Sequence, residues 1–312
     1  MDLPKLTVAA PAKVNLHLAV LDKRPDGFHN LESIFLAVDF GDTLHFEPIS
    51  GEKTLKLTME GPAAAGFDLP VEKNIIFKAL SLFRNKTGFA QGLKIRVEKR
   101  IPSGGGLGGG SSDAAATLLA LNKLAGFPLG REQLLEMAAA LGSDVPFFIY
   151  ETAAARVTGR GECVEPLEAP CRFLVLVNPG FPSDTAAAFR LLDEYRKSTP
   201  NFVTYRRTDA QENKKFAEWS FGNDFLPVFK EPEKSVYNNI ISRLRELGAE
   251  FASLSGTGST CFGVFKEKPL AERAAAALRG KVCIVHKQNF STARLKWRLK
   301  VRRLRRFWRL FR

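Results

Sequence analysis

The feature that most constrains this 312-residue chain is a glycine-rich segment, Ile101-Pro-Ser-Gly-Gly-Gly-Leu-Gly-Gly-Gly-Ser-Ser-Asp113. Six of its residues are glycines, which reach positive φ values without a steric cost. Such a backbone can turn successive N–H groups toward one point and form a nest that binds anions. An alanine-rich stretch follows, for which we predict a helix over residues 111–125 with Ser111, Ser112 or Asp113 as its N-cap. Because the positive end of that helix would face the nest, the segment predicts a polyphosphate site.

Three other kinds of glycine-rich segment have neighbouring residues that this chain does not match. A flexible linker does not sit between an alternating strand, predicted here at residues 93–98, and a strong helix. Gly104, Gly106 and Gly109 match the G-x-G-x-x-G spacing of a dinucleotide site, but no second strand ending in Asp or Glu follows about 20 residues later. A Walker A loop needs Gly-Lys-Ser/Thr after its glycines, and this chain has none there. The segment therefore predicts a phosphate loop of a third kind.

Three segments, in order along the chain, resemble the signatures of the GHMP kinases, the small-molecule kinases named for galactose, homoserine, mevalonate and phosphomevalonate. The glycine-rich segment resembles their ATP loop, Ala10-Pro-Ala-Lys-Val-Asn-Leu16 their N-terminal signature, and Leu254-Ser-Gly-Thr-Gly-Ser-Thr260 their second glycine turn. Two further segments, Arg24-Pro-Asp-Gly-Phe-His29 and Leu141-Gly-Ser-Asp-Val-Pro-Phe-Phe148, narrow the resemblance to members that act on a cytidine diphosphate ester of methylerythritol. The resemblance covers about residues 6–290.

The resemblance implies an α+β class and the two-domain GHMP kinase fold. It implies an N-terminal ATP-binding domain, like domain 2 of ribosomal protein S5, over residues 1–165, and a C-terminal ferredoxin-like α/β sandwich domain over residues 166–293. Residues 165–170, with two prolines, are the candidate linker, and the polar residues 195–222 are a predicted surface insertion. Residues 294–312 are predicted to form a basic amphipathic tail.

Apolar periodicity independently predicts mixed layers of helices and strands. The predicted strands lie at residues 7–21, 43–46, 54–59, 93–98, 153–158, 172–177 and 282–286, with a strand pair around the turn at 254–260. The predicted helices lie at residues 74–85, 111–125, 131–141, 185–192, 235–247 and 270–278.

The catalytic residues implied by the resemblance are Lys13 and Asp144. Phosphoryl transfer to an alcohol needs positioning, charge stabilisation and a group that receives the hydroxyl proton. The resemblance implies that Asp144 receives this proton and that Lys13 pairs with it and keeps it ionised. From the residues alone, Asp144 also fits a helix N-cap, and Lys13 also fits an edge-strand lysine facing water. Asn15 lies on the same strand face as Lys13 and is a candidate substrate ligand.

The candidate substrate-binding aromatics are Phe28 and Phe189, with His29 beside the first. A Pro-Asp-Gly turn precedes Phe28 and His29, so we expect both at an exposed loop tip. The resemblance implies that Phe28 and Phe189 sandwich a cytosine ring and that His29 hydrogen-bonds its edge. In the family the position of Phe28 usually carries tyrosine, so this chain keeps the stacking ring and lacks the hydroxyl. In isolation, a phenylalanine folded back onto the core fits Phe28 as well.

ATP and Mg²⁺ are the expected cofactors. The residues assigned to ATP are those of the glycine loop and one asparagine near the adenine: Pro102, Ser103, Gly104, Gly105, Gly106, Leu107, Gly108, Gly109, Gly110, Ser111, Ser112 and Asn74. The second glycine loop, comprising Ser255, Gly256, Thr257 and Gly258, would close on the transferring phosphate, although a tight hairpin needs the same glycines. Mg²⁺ is required to neutralise the triphosphate, and the sequence assigns no metal ligand.

The net charge of +13 comes mainly from the tail over residues 294–312, which holds ten Lys or Arg residues and no acidic residue. An apolar stripe runs along a helix drawn through it: Trp297, Val301, Leu304, Trp308 and Phe311. Tryptophan and arginine on such a helix favour an anionic membrane surface, and phosphate contacts with a nucleic acid are the next option. A helix packed on its own domain and a disordered basic tail are the simpler alternatives.

Cysteine usage and hydropathy predict a cytoplasmic protein. The four cysteines, at positions 163, 171, 261 and 283, form no Cys-x-x-Cys pair and are expected to be reduced, buried thiols. No apolar run reaches about 18 residues, and the first residues lack the apolar centre of a signal peptide. No obligatory protein partner is indicated, and both a monomer and a homodimer fit the sequence.

The function implied by the resemblance is ATP-dependent phosphorylation of the 2-hydroxyl of 4-diphosphocytidyl-2-C-methyl-D-erythritol, a step of the non-mevalonate route to isoprenoid precursors. One alternative is another GHMP kinase, acting on homoserine or mevalonate. The other is a non-catalytic relative recruited to a membrane or a nucleic acid by the basic tail. The intact set of Lys13, Asn15, Asp144 and two glycine loops favours an active kinase, and the segment at 24–29 favours the cytidine substrate.

Overall fold

Two β-sheets, each covered by helices, make up the computed structural model of this chain. The structure describes residues 3–64, 70–168, 172–199, 201–204, 221–278 and 282–288. We call each sheet together with its helices a layer. The first layer runs to residue 167 and holds the glycine-rich segment, and the second layer begins at residue 172. This alternation of helices and strands confirms the predicted α+β class.

The first sheet has six strands in the order β3-β4-β2-β5-β6, with β1 paired to β2. Its strands are β1 (Leu6–Lys23), β2 (His29–Ile49), β3 (Leu55–Glu60), β4 (Gly92–Glu98), β5 (Ala154–Gly159) and β6 (Cys163–Leu167). All pairs are antiparallel except β3 with β4. Its helices are α1 (Ile75–Thr87), α2 (Gly109–Leu124), α3 (Arg131–Leu141) and α4 (Val145–Ile149).

The second sheet has four antiparallel strands in the order β10-β7-β9-β8. Its strands are β7 (Arg172–Asn178), β8 (Phe251–Leu254), β9 (Cys261–Phe265) and β10 (Val282–Gln288). Its helices are α5 (Thr185–Ser198), α6 (Glu233–Glu246) and α7 (Lys268–Ala277).

Each layer has its own apolar core, and a third core joins the two layers. In the third core, Val14 of β1 and Leu36 of β2 pack with Leu176 of β7 and Phe262 of β9, and all four are buried. Burial of apolar surface stabilises by roughly 25 cal/mol per Å². The two layers are therefore held together by the same force that holds each of them, which fixes the position of the cleft between them.

A shift in register along β1 decides which of its side chains face the cleft. The pairing of β1 with β2 slips between Pro11 and Ala12, so the alternation of faces is exchanged at this point. Ala10 belongs to the core of the first layer, whereas Ala12 belongs to the core between the layers. Lys13 lies on the opposite face of β1 from Ala12 and so points away from the core between the layers. On that face it lines the cleft.

Most of the predicted elements are confirmed, but residues 29–42 of β2, strand β6 and helix α4 were not predicted, and the other differences concern helix ends and one linker. Helix α2 begins at Gly109 with Gly108 as a left-handed N-cap, so the predicted cap at residues 111–113 is wrong. A glycine at φ 68° ends the loop without any side-chain cap, which the sequence pattern does not reveal. The predicted linker at 165–170 is wrong in its first part, because β6 extends to Leu167 and pairs with β5.

Other predictions fall partly or wholly outside the described residues. The surface insertion predicted at 195–222 begins within α5, which ends at Ser198, and its residues 205–220 lie outside the described part. The tail at 294–312 lies outside it entirely. Cys163 and Cys261 are not part of disulfides, as predicted for them, but Cys163 is exposed whereas Cys261 is buried. In the part of the chain that the structure describes, no helix combines the length and the apolar character needed to cross a membrane.

The buried side chain of Asn122 provides a test of how the turn between α2 and α3 is held. Its amide donates to the carbonyl of Leu129 and accepts from the N–H of Leu129, each at 3.0 Å. Asn122→Ala leaves both backbone groups unpaired, so we expect the free energy of unfolding in urea to fall by about 2–4 kcal/mol. The exposed Asn85→Ala in α1 is the matched control and should change it by less than about 0.5 kcal/mol. Equal stability of the two variants would contradict this role for Asn122.

Candidate active site

A cavity of about 500 Å³ lies between the two layers and is the candidate active site. Strand β1, the glycine-rich loop, the turn before α4, helix α5 and the second glycine loop all contribute to its wall. The predicted site residues that line it are Lys13, Asn15, Asn74, Pro102, Ser103, Gly104, Gly105, Gly106, Leu107, Gly108, Gly109, Gly110, Ser111, Asp144, Phe189, Gly256 and Thr257. The fold thus brings together residues that lie far apart in the sequence.

The glycine-rich loop has an alternating backbone conformation. Gly104, Gly106 and Gly108 have φ values of 64°, 71° and 68°, whereas the residues between them stay outside the left-handed region. Such alternation turns consecutive N–H groups to the same side. Among the described residues, none of the N–H groups from 104 to 108 donates to another protein group. The loop therefore presents unused donors, as an anion-binding nest requires.

The carbonyl groups of three residues of this loop, Gly104, Gly105 and Gly106, are bound by groups of the second layer. Gly104 accepts from the N–H of Ser183 at 2.8 Å, and Gly105 accepts from the N–H of Thr260 at 3.2 Å. The carbonyl of Gly106 accepts from the Ser255 hydroxyl at 2.9 Å. These bonds hold the carbonyl dipoles away from the cavity, so an anion there meets the donors and not the acceptors.

The second glycine loop is itself held by an asparagine that sequence reasoning missed. The Asn223 amide donates to the carbonyls of Leu254 and Gly256, at 2.8 Å and 2.9 Å. The Ser255 hydroxyl also accepts from the N–H of Asn15 in β1, at 3.3 Å. Both glycine loops and β1 therefore meet at one buried serine. The short sequence Asn223-Asp224-Phe225 carries no pattern that reveals this contact.

Lys13 and Asp144 form an ion pair within the cavity, with 3.2 Å between Nζ and Oδ2. Lys13 is 4% exposed, and its Nζ also donates to the Asn15 carbonyl oxygen at 2.7 Å. Its Nζ lies 4.4 Å from the centroid of the Phe35 ring, a further attraction for the ammonium group. Lys13 is therefore an interior lysine held by three partners and not an edge lysine facing water.

Asp144 stands at the start of α4, yet its carboxylate makes no capping hydrogen bond. Its side chain keeps about a third of its surface exposed, at 31%, whereas that of Lys13 is almost closed to solvent. A molecule in the cavity can therefore reach the carboxylate. The Asn15 side chain has both of its ends engaged, because its amide donates to the Ser33 hydroxyl at 2.9 Å. The main contact of the Asn15 carbonyl oxygen is therefore with Lys13, and not with an open part of the cavity.

The aromatic residues are arranged differently from the predicted pair of facing rings. Phe189 lines the cavity and stacks on the His29 ring, with centroids 5.2 Å apart and planes at 21°. Phe28 is 53% exposed, lies under the Arg160 guanidinium and is not part of the cavity lining. The expectation that His29 is exposed is wrong, because it begins β2 and is 7% exposed. Phe225, which the sequence did not single out, meets Phe189 edge-on at 4.9 Å.

A carboxylate of α5 holds His29 in this position. Asp193 contacts the His29 Nε2 at 2.8 Å and accepts from the Lys23 ammonium at 2.7 Å. Burial opposes ionisation of Asp193, but the hydrogen bonds from Lys23 and His29 outweigh it and lower its pKa. This cluster links α5 of the second layer to β1 and β2 of the first. No sequence pattern relates residues 29 and 193, which are brought together only by the docking of the layers.

A second buried ionic cluster, also missed by sequence reasoning, borders the cavity beside the glycine loop. Lys99 is 1% exposed and donates to the carboxylates of Asp42 and Asp113, at 2.5 Å and 2.7 Å. Asp42 also accepts from the N–H of Ile101 at 2.9 Å and thereby fixes the start of the loop. Lys99 and Asp113 line the cavity. In the sequence Lys99 looks like any charged residue at the end of a strand.

Some predicted site residues lie outside the cavity wall. These are Phe28, His29, Ser112, Ser255 and Gly258. Ser255 is buried behind the glycine loop, and the Ser112 hydroxyl is buried with no hydrogen-bond partner among the described residues. Side chains that line the wall without having been predicted include Lys99, Asp113, Thr185 and Phe225.

Comparison with known proteins gives a consistent set of relatives. Residues 74–152 match the model of the GHMP kinases N terminal domain, and residues 203–284 match that of the GHMP kinases C terminal. A 4-diphosphocytidyl-2-C-methyl-D-erythritol kinase of Burkholderia thailandensis is 39% identical over 271 residues, which are 86% of this chain and 88% of that protein. The kinase of the same name from Thermodesulfovibrio yellowstonii is 37% identical over 292 residues, 90% of this chain and 96% of that one.

A solved structure agrees with these relatives. The crystal structure of a 4-(cytidine 5'-diphospho)-2C-methyl-D-erythritol kinase superposes with a TM-score of 0.74 at 31% identity. The match covers 90% of this chain and 98% of that chain. Sequence and fold therefore point to the same group of proteins.

The contact between the two glycine loops can be tested by a matched pair of substitutions. A Cβ at Gly106 would lie 2.1 Å from the Ser255 carbonyl oxygen, in a residue with φ 71°. We expect Gly106→Ala to lower the free energy of unfolding in urea by about 3 kcal/mol or more, from backbone strain and separation of the loops. Gly110→Ala has room, with Ile75 at 3.8 Å, and lies in α2, where alanine is favoured over glycine by up to about 1 kcal/mol. A Gly106→Ala protein as stable as the Gly110→Ala protein would show that the loops do not depend on each other.

Proposed function

The chain belongs to the 4-diphosphocytidyl-2-C-methyl-D-erythritol kinase family of the GHMP kinases, and from this premise we propose which alcohol it phosphorylates and how. It transfers the γ-phosphoryl group of ATP to the 2-hydroxyl of 4-diphosphocytidyl-2-C-methyl-D-erythritol, in the non-mevalonate route to isoprenoid precursors. The observation that carries the mechanism is the Lys13–Asp144 ion pair, set in the same cavity as the unused N–H donors of the glycine loop.

ATP binds with its phosphates at the glycine loop. The N–H groups of residues 104–108 and the positive end of α2 supply the donors and the field that a polyphosphate needs. Asn74 lines the same cavity ahead of α1, in a position suited to the adenine.

Asp144 and Lys13 act on the acceptor alcohol. As the 2-hydroxyl oxygen bonds to the γ-phosphorus, the bond between that phosphorus and the β–γ bridging oxygen breaks and ADP leaves. The proton of the hydroxyl passes to the Asp144 carboxylate. Lys13 pairs with this carboxylate, and its charge offsets the negative charge that develops on the attacking oxygen. Asn15 and Phe35 hold the ammonium group in place for both tasks.

Mg²⁺ accompanies ATP and neutralises part of the charge of its phosphates. This ion usually keeps several waters and binds phosphate oxygens, so it needs few protein ligands. In the described part of the chain, no group of three or more His, Cys, Asp or Glu side chains is placed to hold a metal ion. We propose that Mg²⁺ enters on the phosphates, and we assign it no protein ligand.

The cytidine end of the substrate lies against Phe189. A flat aromatic ring stacks well on a pyrimidine, and His29, which is held by Asp193 and stacks on Phe189, supports this ring from outside the cavity wall. Phe28 stands at the preceding turn and would reach the base only by a movement of that turn. Membrane or nucleic-acid contact through residues 294–312 stays a prediction, as does the choice between monomer and homodimer.

The proposed base is tested by Asp144→Asn, which keeps the size of the side chain and removes its charge. We expect kcat to fall by at least about 100-fold, because the hydroxyl proton loses its acceptor, while KM for ATP changes by less than about threefold. Steady-state rates at saturating substrate measure both effects. Asp39 is an exposed carboxylate on β2. The matched control Asp39→Asn should therefore retain the activity of the unmodified protein. Retention of most activity by Asp144→Asn would refute the assignment of the base.

The proposed cytosine wall is tested by Phe189→Ala. Loss of one stacking ring should raise KM for the cytidyl substrate about tenfold or more and leave KM for ATP unchanged. Phe127→Ala is the matched control. It removes a ring of the same size at the exposed turn between α2 and α3, and Phe127 does not line the cavity. An equal KM for the cytidyl substrate in both variants would place the base elsewhere.

A further inference from the structure

The buried cluster of Lys99, Asp42 and Asp113 lies beside the phosphate loop, and its charges do not balance. Two carboxylates share one ammonium group, and all three residues are at most 2% exposed. When all three groups are ionised, the cluster carries one net negative charge. Lys99 and Asp113 border the cavity in which the phosphates of ATP are proposed to bind. A buried negative charge at that place opposes the binding of a polyphosphate.

The two carboxylates of the cluster differ in how well they are satisfied. Asp42 accepts hydrogen bonds at both oxygens, from Lys99 at one and from the N–H groups of Arg100 and Ile101 at the other. Asp113 has one oxygen bound to Lys99, and its Oδ1 is buried with no hydrogen-bond partner among the described residues. An ionised carboxylate is costly in that setting, whereas a protonated one is not. Asp113 is therefore the member that gives up its charge most easily.

The ionisation of Asp113 follows this geometry. Burial raises its pKa to about 7; Lys99 opposes the shift, and Asp42 adds to it. For Lys99, burial opposes the charge, but the two carboxylates outweigh it and raise its pKa. The other charged side chains that line the cavity come from other elements: Lys13 of β1, Lys73 ahead of α1 and Asp144 before α4. At neutral pH the charge of the cluster thus depends on Asp113.

We propose that Asp113 takes up a proton when a nucleoside polyphosphate binds in the glycine loop, so that nucleotide binding is linked to pH through the cluster of Lys99, Asp42 and Asp113. The inference rests on the proposed ATP site. Asp113 acts as a positioning residue. It contacts Lys99, Lys99 contacts Asp42, and Asp42 holds the start of the loop. Protonation removes the net negative charge and leaves the Lys99–Asp42 pair in place to hold the start of the loop. Nucleotide affinity should consequently fall as the pH rises through neutrality.

The test is isothermal titration calorimetry of the full chain with the non-hydrolysable analogue AMP-PNP and Mg²⁺, without the acceptor alcohol. Titrations at pH 7 in two buffers with different ionisation enthalpies give the number of protons taken up on binding. Asp113→Asn, which keeps the shape and cannot ionise, should take up about 0.3–0.5 proton fewer than the unmodified protein. Between pH 6 and pH 8, Kd should rise about threefold to tenfold more in the unmodified protein than in Asp113→Asn. Asp39→Asn serves as the carboxylate control and should keep both the proton uptake and the pH dependence.

The outcomes separate this inference from the proposed function. Equal proton uptake in the unmodified protein and in Asp113→Asn overturns the inference while leaving the ATP site intact. If Asp113→Asn binds AMP-PNP more weakly by the same factor at every pH, the inference is also overturned. In that case the Asp113 carboxylate only holds the structure and its ionisation is not linked to binding. If Asp113→Asn does not fold, the unmodified protein decides alone, since a pH-independent Kd refutes the linkage. Failure of the unmodified protein to bind AMP-PNP at any pH refutes the ATP site itself.

Discussion

The contact between the two glycine loops is the constraint on which the rest of the site depends. A phosphate loop works only if its carbonyl groups face away from the ligand, and here the second layer supplies the partners that hold them there, from Ser183, Ser255 and Thr260. The same hydroxyl of Ser255 accepts from β1, the strand that carries Lys13. The proposed phosphate nest and the ion pair are therefore positioned by one set of hydrogen bonds between the layers, and the apolar core behind β1 fixes how the layers meet.

The charged groups described around the cleft are paired, but one ammonium group is shared by two carboxylates. The Lys13 ammonium is held by Asp144 and Asn15, and Asp193 is held by Lys23 and His29. Asp113 shares Lys99 with Asp42, and the surplus negative charge lies at the place where a triphosphate would bring more. An enzyme that handles a highly charged cofactor can use such a group to take up a proton when the cofactor binds, because the uptake keeps the buried charge small.

Sequence reasoning recovered the parts of the site that local chemistry dictates. Glycine spacing identified the loop, and the Lys13 and Asp144 pair came from a resemblance whose segments stand intact in the chain. The helix start was misplaced, because a left-handed Gly108 ended the loop where a serine cap was expected. His29 was expected at the surface, because no local pattern shows that α5 supplies Asp193 to bury and hold it. Lys99 was overlooked for the same reason, since its partners lie 57 and 14 residues away.

Specificity of this kinase for a cytidyl sugar alcohol can be measured by the ATP consumption of the purified protein with Mg²⁺. Three alcohols are offered side by side: 4-diphosphocytidyl-2-C-methyl-D-erythritol, homoserine and mevalonate. We expect turnover of the cytidyl substrate alone, because only that substrate has a base to place against Phe189. Turnover of homoserine or mevalonate without turnover of the cytidyl substrate would contradict it.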